Sequence, residues 1–418
     1  MQSPTHLEEQ PGHRLALWIF LLVLPLYAAL AVGVHSPNLI WDEGRYLEGA
    51  IKLSEQNFEP DEHRGFVNGP GYPLFLLPFV KMGAPLLAAR IANAVLMALA
   101  AMVLCITIRP LAGKVWAAVA ALGLALHPLL LRVVPYVMTE PLTLLTLTLF
   151  AWSSSNLLRG SSRSWLWIGI GTLSLAWLIL TRVIFGYVVI VMIPVSLTLL
   201  VIIRPWRELL RNLLAVYVGS LLLCLPYLSY TFEKTGQFPC WSTNSGELLY
   251  WLTSTHEGET GSWFSPQDVE SLPHLQRNHG EFYDRVMALP FMEREAAFKQ
   301  AAKANLEANP KGVLYNWFCN IPRLAFGFPR SFIAETPLTF IIVIASGPLV
   351  LLSLASLLLT LRHWRDTDPT ALMLGLMALV YIGGSTLAPA QPRYLVMIFP
   401  LLWIVSAASL KRYLSLRW

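Results

Sequence analysis

The chain has 418 residues, of which 55% are hydrophobic and only 13% charged, with a formal net charge of +5. A soluble globular protein of this length would need far more charge to cover its surface, so that class is excluded. The positive balance does not imply a nucleic-acid partner, because in membrane proteins the excess of Lys and Arg gathers in cytoplasmic loops. The composition predicts an all-α polytopic membrane protein.

Arg14 precedes an apolar run over 15–34, and no clear small-residue cleavage site follows it. The run is therefore expected to be a retained first span rather than a cleaved signal. Just beyond it stands "NLIWDEGRYLEGA" (38–50), which places Asp42 and Glu43 side by side at the exit of a span. The segment "GPGYPLFLLPFV" (69–80) is apolar but short and Pro-rich, which predicts a re-entrant or interfacial piece rather than a crossing. Further apolar runs occupy 86–108, 115–131, 138–157, 165–180, 183–203, 212–231, 338–361, 371–388 and 394–410. A span needs about 20 apolar residues, so the chain is expected to cross roughly ten times. Two long connections remain, 35–85 and 232–336, giving an N-terminal membrane module (1–231), a large loop (232–336) and a C-terminal membrane module (337–418). Within the large loop, "PFMEREAAFKQAAKANLEANP" (290–310) reads as an amphipathic helix, with Glu295 and Lys299 one turn apart and Asn309-Pro310 as its stop.

The distribution of cations sets the expected orientation. With the N-terminus in the cytoplasm, the inner segments hold Arg14; Arg109 and Lys114; Arg159 and Arg163; Arg204, Arg207 and Arg211; Arg362 and Arg365; and Lys411, Arg412 and Arg417. The short outer connections hold one arginine each, Arg132, Arg182 and Arg393. Both termini are then cytoplasmic in a multi-pass cytoplasmic (inner) membrane protein, and both long loops are outside.

This topology collects the chemistry on the outer face: Asp42, Glu43, Glu140, Arg132, Arg182 and Arg393. Glu140 is the one acid within the predicted spans, and a carboxylate there is costly enough to be a functional hypothesis by default. Pairing with Arg132 or Arg182 for purely structural reasons is the competing reading. Arginine suits phosphate oxygens, so the three arginines fit a phosphate at the outer membrane surface, against simple interfacial anchoring. If that phosphate belongs to a lipid-linked sugar, it leaves as a stable anion, and the harder task is activating the acceptor hydroxyl. A carboxylate does that as a general base, and a neighbouring carboxylate orients the acceptor or tunes the first. Two adjacent acids on an exposed loop are also common as plain solvated charges.

Several stretches resemble the GT-C glycosyltransferases, specifically the bacterial branch related to protein O-mannosyltransferases and the lipid A aminoarabinose transferase. "WDEGRYLEGA" resembles the acidic motif of that family's first outer loop, and "NGPGYPLFLLPF" the Pro-rich segment after it. "VVPYVMTEPLTLLTLTLFAW" (133–152) resembles the Thr-Glu-Pro entry to the fourth span. "LTRVIFGY" (180–187) resembles the outer Leu-Thr-Arg motif, with Val183 where the family often has Pro. "GQFPCWSTNSGELLYWLTS" (236–254) resembles the Gly- and Asn-rich stretch after the seventh span, and "QPRYLVMIFPLL" (391–402) the Arg-Tyr motif opening a late span. The resemblance implies transfer of a sugar from a polyprenyl-phosphate donor with inversion at the anomeric carbon. Asp42 is then the leading base, with Glu43 and Glu140 shaping the site. Arg182, Arg393 and Arg132 become candidates for the donor phosphate. The family's larger members carry an added soluble C-terminal domain, whereas here acceptor recognition is expected from the outer loops.

Tyr46, Asn68, Tyr72 and Asn244 are candidates for the acceptor and sugar pocket, against packing roles in turns. His35, His63, His256, His274 and His279 show no ligand spacing with a third group, so no metal is expected; a divalent cation at Asp42 and Glu43 is the exception left open. Cys240 and Cys319 both fall on the outer side, where a disulfide is permitted, while Cys105 and Cys224 read as packing residues. The acceptor could be a protein, lipid A or another envelope glycan. The competing function is a transporter or flippase of a lipid-linked or anionic substrate, which would place charges near mid-membrane. Here the charges gather at one face instead, which favours an enzyme.

Overall fold

A computed structural model describes residues 12–35, 38–55, 58–60, 65–332, 336–365 and 367–411. His63, Arg412 and Arg417 lie outside the described residues. In chain order the helices are α1 (Gly12–Gly33), α2 (Glu43–Ser54), α3 (Gly71–Lys81), α4 (Leu86–Ala112), α5 (Lys114–Ala125), α6 (Pro128–Val133), α7 (Glu140–Leu158), α8 (Ser164–Thr181), α9 (Ile184–Ile202) and α10 (Arg207–Thr235). There follow α11 (Ser245–Thr253), α12 (Pro266–Ser271), α13 (Pro273–Met287), α14 (Phe291–Ala308), α15 (Pro310–Phe326), α16 (Pro337–Arg362), α17 (Pro369–Thr386), α18 (Pro392–Met397) and α19 (Phe399–Leu410). The chain is an all-α polytopic membrane protein.

Among the described residues, seven helices are long and apolar enough to cross a membrane: α1, α4, α8, α9, α10, α16 and α17. The other three predicted spans take different forms. Helix α7 has 19 residues but is rich in Thr and Ser, nearly all buried. Its hydroxyls return to carbonyls one turn back, Thr143 Oγ1 to Thr139 O and Thr146 Oγ1 to Leu142 O, both at 2.8 Å. That disposes of their polarity inside the bundle.

The runs 115–131 and 394–410, expected as continuous spans, are each broken. The first divides into α5 and α6 at His127-Pro128, the second into α18 and α19 at Ile398 before Pro400. Proline has no N–H for the preceding turn but fits the first turn of a new helix. Such breaks are tolerated at membrane depth only where protein covers the backbone, and Ile398 and Phe399 are fully buried. Each break leaves a short helix carrying one of the arginines expected on the outer side, Arg132 on α6 and Arg393 on α18.

The Pro-rich segment forms α3, 11 residues long and too short to span. Its two glycines are required by close approach. A Cβ on Gly69 would meet Leu180 O at 2.1 Å, and one on Gly71 would meet Thr181 Oγ1 at 2.5 Å. Trp177 Nε1 donates to Gly71 O at 3.0 Å. The "NGPG" turn is thus pressed onto the end of α8, immediately before Arg182.

The large loop is helical and has its own core of Tyr250, Trp251, Phe264, Leu275, Tyr283 and Phe298. The expected amphipathic helix is α14, and Glu295 pairs with Lys299 at 3.0 Å. The same Glu295 is nearly buried and also accepts from Gly246 N, which ties α14 to α11. Cys240 and Cys319 are free, buried thiols, so the disulfide left open by the sequence is not formed.

Candidate active site

Asp42 is the N-cap of α2, at the exit of α1. The residue before it, Trp41, has φ +52, a left-handed conformation that a bulky side chain rarely adopts. The cost is on the order of 1–3 kcal/mol and persists only where the surroundings enforce it. Here Tyr136 packs edge-on to the Trp41 ring at 5.0 Å, and the Arg132 guanidinium lies over it at 5.4 Å. The Asp42 carboxylate accepts from Arg45, one turn along α2, and from Arg393 Nη1 at 3.2 Å.

Glu140 opens α7, where a carboxylate is favoured by the helix N-terminus. It is buried and pairs with Arg182 Nη2 at 2.9 Å. Burial works most strongly against charge on Arg182, but the Glu140 carboxylate, helped by Tyr46 and Tyr381, more than offsets it, and together they hold the guanidinium above its ordinary pKa. Tyr46 is buried among the four charges. Burial pushes its phenol up, and the hydroxyl lies in the combined field of Arg182, Asp42, Glu140 and Arg393.

Two orphan atoms mark this cluster. Arg182 Nε and Arg393 Nε are both buried and have no hydrogen-bond partner among the described residues. A buried donor left unmade costs about 1–3 kcal/mol, more when it is charged, and buried donors are otherwise almost always satisfied. Two unsatisfied guanidinium N–H groups in one cluster fit an anion. Within it stand two carboxylates, Asp42 and Glu140, against three guanidiniums, Arg45, Arg182 and Arg393.

Glu43 does not share Asp42's surroundings. It is fully buried, and its carboxylate is consumed: Oε1 accepts from Arg90 Nε at 3.1 Å and Val137 N at 2.7 Å, and Oε2 from Arg90 Nη2 at 2.9 Å and Ile40 N at 3.0 Å. With no free oxygen, it is not placed to touch a substrate or to join Asp42 on a divalent ion. Among the described residues no three His, Cys, Asp or Glu side chains gather as a metal site. Arg90, which the expected site omitted, sits near the start of α4. A charge inside a predicted span was the signal that could have found it.

Tyr72 is fully buried beside Tyr46, and its hydroxyl is taken by Asn93. Asn93 also donates to Tyr136 O and Met138 O, holding the loop that leads to Glu140. Asn68 is half-buried at the start of the α3 turn. Asn244 caps α11 in the large loop with no side-chain bond to the helix.

A cavity of about 690 Å³ opens beside the cluster. Asp42, Arg393 and Arg132 line it on the membrane side, and Trp263, Arg323 and Arg330 on the side of the large loop. Glu140, Arg182, Tyr46, Tyr72, Asn68 and Asn244 are not among its lining residues. The charged cluster is therefore only partly open to the cavity. Asp42 and Arg393 line it, Glu140 and Arg182 pair away from it, and Arg393 lies in the field of both acids.

No protein family and no characterised protein matches the chain by sequence. Solved structures do match its fold. The archaeal oligosaccharyltransferase AglB from Archaeoglobus fulgidus, in complex with an inhibitory peptide and a dolichol-phosphate, aligns at a TM-score of 0.51 and 16% identity, over 94% of this chain and 50% of that one. The apo form of the Archaeoglobus fulgidus oligosaccharyltransferase aligns at 0.54 and 14% identity, over 97% and 51%. ArnT from Cupriavidus metallidurans, bound to undecaprenyl phosphate, aligns at 0.39 and 15% identity over 94% and 76%, too loosely to carry weight. The chain spans about half the length of the two oligosaccharyltransferase chains. At these identities the likeness shows the fold alone, an all-α membrane fold shared with these two oligosaccharyltransferase structures.

Proposed function

We propose that this chain is an integral-membrane glycosyltransferase that moves a sugar from a polyprenyl-phosphate donor to an acceptor hydroxyl at the outer face of the cytoplasmic membrane. The observation that carries the reading is the pair of orphaned guanidinium donors, Arg182 Nε and Arg393 Nε, beside a cavity-lining carboxylate. The donor phosphate sits against Arg182 and Arg393, and Glu140 orients Arg182. Asp42 accepts the acceptor hydroxyl proton as the oxygen attacks the anomeric carbon. The bond from that carbon to the phosphate oxygen breaks from the opposite face, which inverts the centre. Polyprenyl phosphate leaves with the bonding pair and remains paired with the arginines. Arg393 contacts the base and faces the leaving group, so it couples the two ends of the reaction.

The test follows polyprenyl phosphate release from purified protein in lipid, supplied with a panel of polyprenyl-phosphate sugars, for wild type beside Asp42→Asn. Release from one sugar, lost in the variant, supports the reading and names the donor. Equal release from both proteins removes Asp42 as the base. Binding without release in either protein, with acceptors present, favours a transporter instead.

A further inference from the structure

The open cavity carries chemistry that sugar donation does not use. Trp41 and Trp263 line it and are 52% and 41% exposed, which leaves large aromatic surface available for contact. Its charged lining also sorts cleanly. Arg393 is paired with Asp42. Asp268 is spent capping α12, accepting from Ser265 N at 2.8 Å and Ser265 Oγ at 2.7 Å. Arg323 is spent on the protein too: it donates to Gly261 O, Thr260 Oγ1, Asn320 Oδ1 and Pro329 O. That leaves two lining guanidiniums with neither an ion pair nor a hydrogen bond among the described residues, Arg132, which lies over the Trp41 ring, and Arg330.

The wall holding Trp263 and Arg330 is rigidly built. Arg323 clamps the 260–261 loop and Pro329 in one grip. Thr260 N donates to Ser331 Oγ and Ser331 N to Ser262 Oγ, both at 2.9 Å. The loop bearing Trp263 and the loop bearing Arg330 are thereby stitched together, opposite Trp41 and Arg132. Preorganisation of this kind belongs to a binding surface, because it lowers the entropy lost when a ligand is held.

We infer that this cavity is the acceptor site and that the acceptor is an anionic saccharide, its rings packed on Trp263 and Trp41 and its negative group held by Arg132 and Arg330. The inference rests on the reading of Asp42 as the base. The apolar C–H face of a pyranose packs on an indole ring, whose area is large and rigid, while the guanidinium fork suits phosphate and carboxylate alike. The volume lies within the range of about 300–1,000 Å³ seen for pockets that enclose small ligands. Asp42, on the same wall, is placed to receive the proton of a hydroxyl bound there. On this assignment Arg132 serves the acceptor and not the donor phosphate.

The test is calorimetric binding to the full chain in lipid nanodiscs. Three probes are compared: a mannose disaccharide carrying one phosphate monoester, the same disaccharide without it, and a Ser/Thr peptide of equal negative charge. Wild type is expected to bind the phosphorylated disaccharide at least about tenfold more tightly than the neutral one. Arg330→Gln and Arg132→Gln remove that preference, and Trp263→Ala weakens both saccharides. Polyprenyl phosphate binding, measured on the same proteins, stays as in wild type. A peptide bound as tightly as the phosphorylated disaccharide overturns the inference, as does an undiminished preference in both arginine variants. Loss of polyprenyl phosphate binding in wild type would strike the transferase reading itself, and the saccharide arms would still report on the cavity.

Discussion

Asp42 and Arg393 are separated by 351 positions in the chain and joined by a 3.2 Å hydrogen bond. One caps α2 in the loop after α1, and the other lies on a six-residue helix near the C-terminal end of the described chain. The bond ties these two distant segments together at the cluster and keeps a single guanidinium in the field of both Asp42 and Glu140. Asp42→Asn keeps the shape of the side chain but cannot take a proton. Polyprenyl phosphate release is expected to fall by about 10²–10⁴-fold, the usual worth of a general base, while affinity for polyprenyl phosphate itself changes little. A large loss of affinity with an unchanged turnover would instead make Asp42 a binding residue.

The Glu140–Arg182 pair is expected to act on donor binding. Arg182→Lys keeps the charge and loses the fork, and Glu140→Gln keeps the shape and frees Arg182 to rotate. Both should raise the KM for the polyprenyl-phosphate sugar by roughly tenfold, with a smaller effect on kcat. Titration of donor at fixed acceptor separates the two constants. A fall in kcat at unchanged KM in Glu140→Gln would place Glu140 at the reacting centre.

Much of this was legible in the sequence, and the failures have physical causes. Long apolar runs show the membrane helices because lipid leaves few alternatives to a helix. The breaks at Pro128 and Pro400 were hidden because each lies inside an apolar run of spanning length. Asp42, Glu140, Arg182 and Arg393 stood out because charge at the membrane edge is rare. Glu43 reads in the sequence as a second carboxylate shaping the site beside Asp42, and only the fold shows Arg90 taking up its oxygens. Trp263, Arg323 and Arg330 were invisible, since in a polar loop neither exposure nor a clamp of carbonyls leaves a mark in the sequence.

The Glu43–Arg90 pair has no solvent exposure on either side chain. Removing one partner strands the other, at about 3–5 kcal/mol. Glu43→Ala and Arg90→Met are each expected to lower the unfolding midpoint in detergent sharply. The double variant Glu43→Leu/Arg90→Met should recover part of the loss. Recovery stays incomplete because Val137 N and Ile40 N lose their acceptor. If Glu43→Gln melts like wild type yet loses activity, Glu43 does more than hold Asp42 and the Glu140 loop in place.

The core of the large loop contains a second buried polar network, centred on the Glu259 carboxylate, and its pH response has a definite sign. Glu259 accepts from His279 at 2.7 Å and Asn278 at 3.2 Å, and from Ser254; His279 Nδ1 meets the Tyr250 hydroxyl at 2.7 Å. Burial raises the Glu259 pKa, but the bonds from His279, Ser254 and Asn278 outweigh it and leave the carboxyl below its ordinary value of 4.5. A carboxyl depressed in the fold contributes stability that is fully present above its unfolded pKa and lost as pH falls through the lower folded one. The large loop should therefore hold its structure at neutral pH and loosen as the medium is taken below the ordinary carboxylate range. Hydrogen exchange across 245–305, followed from about pH 6 to about pH 3, should show protection falling in wild type. In Glu259→Gln, protection should be lower at the start and should depend less on pH. Unchanged protection across that range in wild type would mean that the Glu259–His279 contact contributes nothing to holding α11, α13 and α14 together.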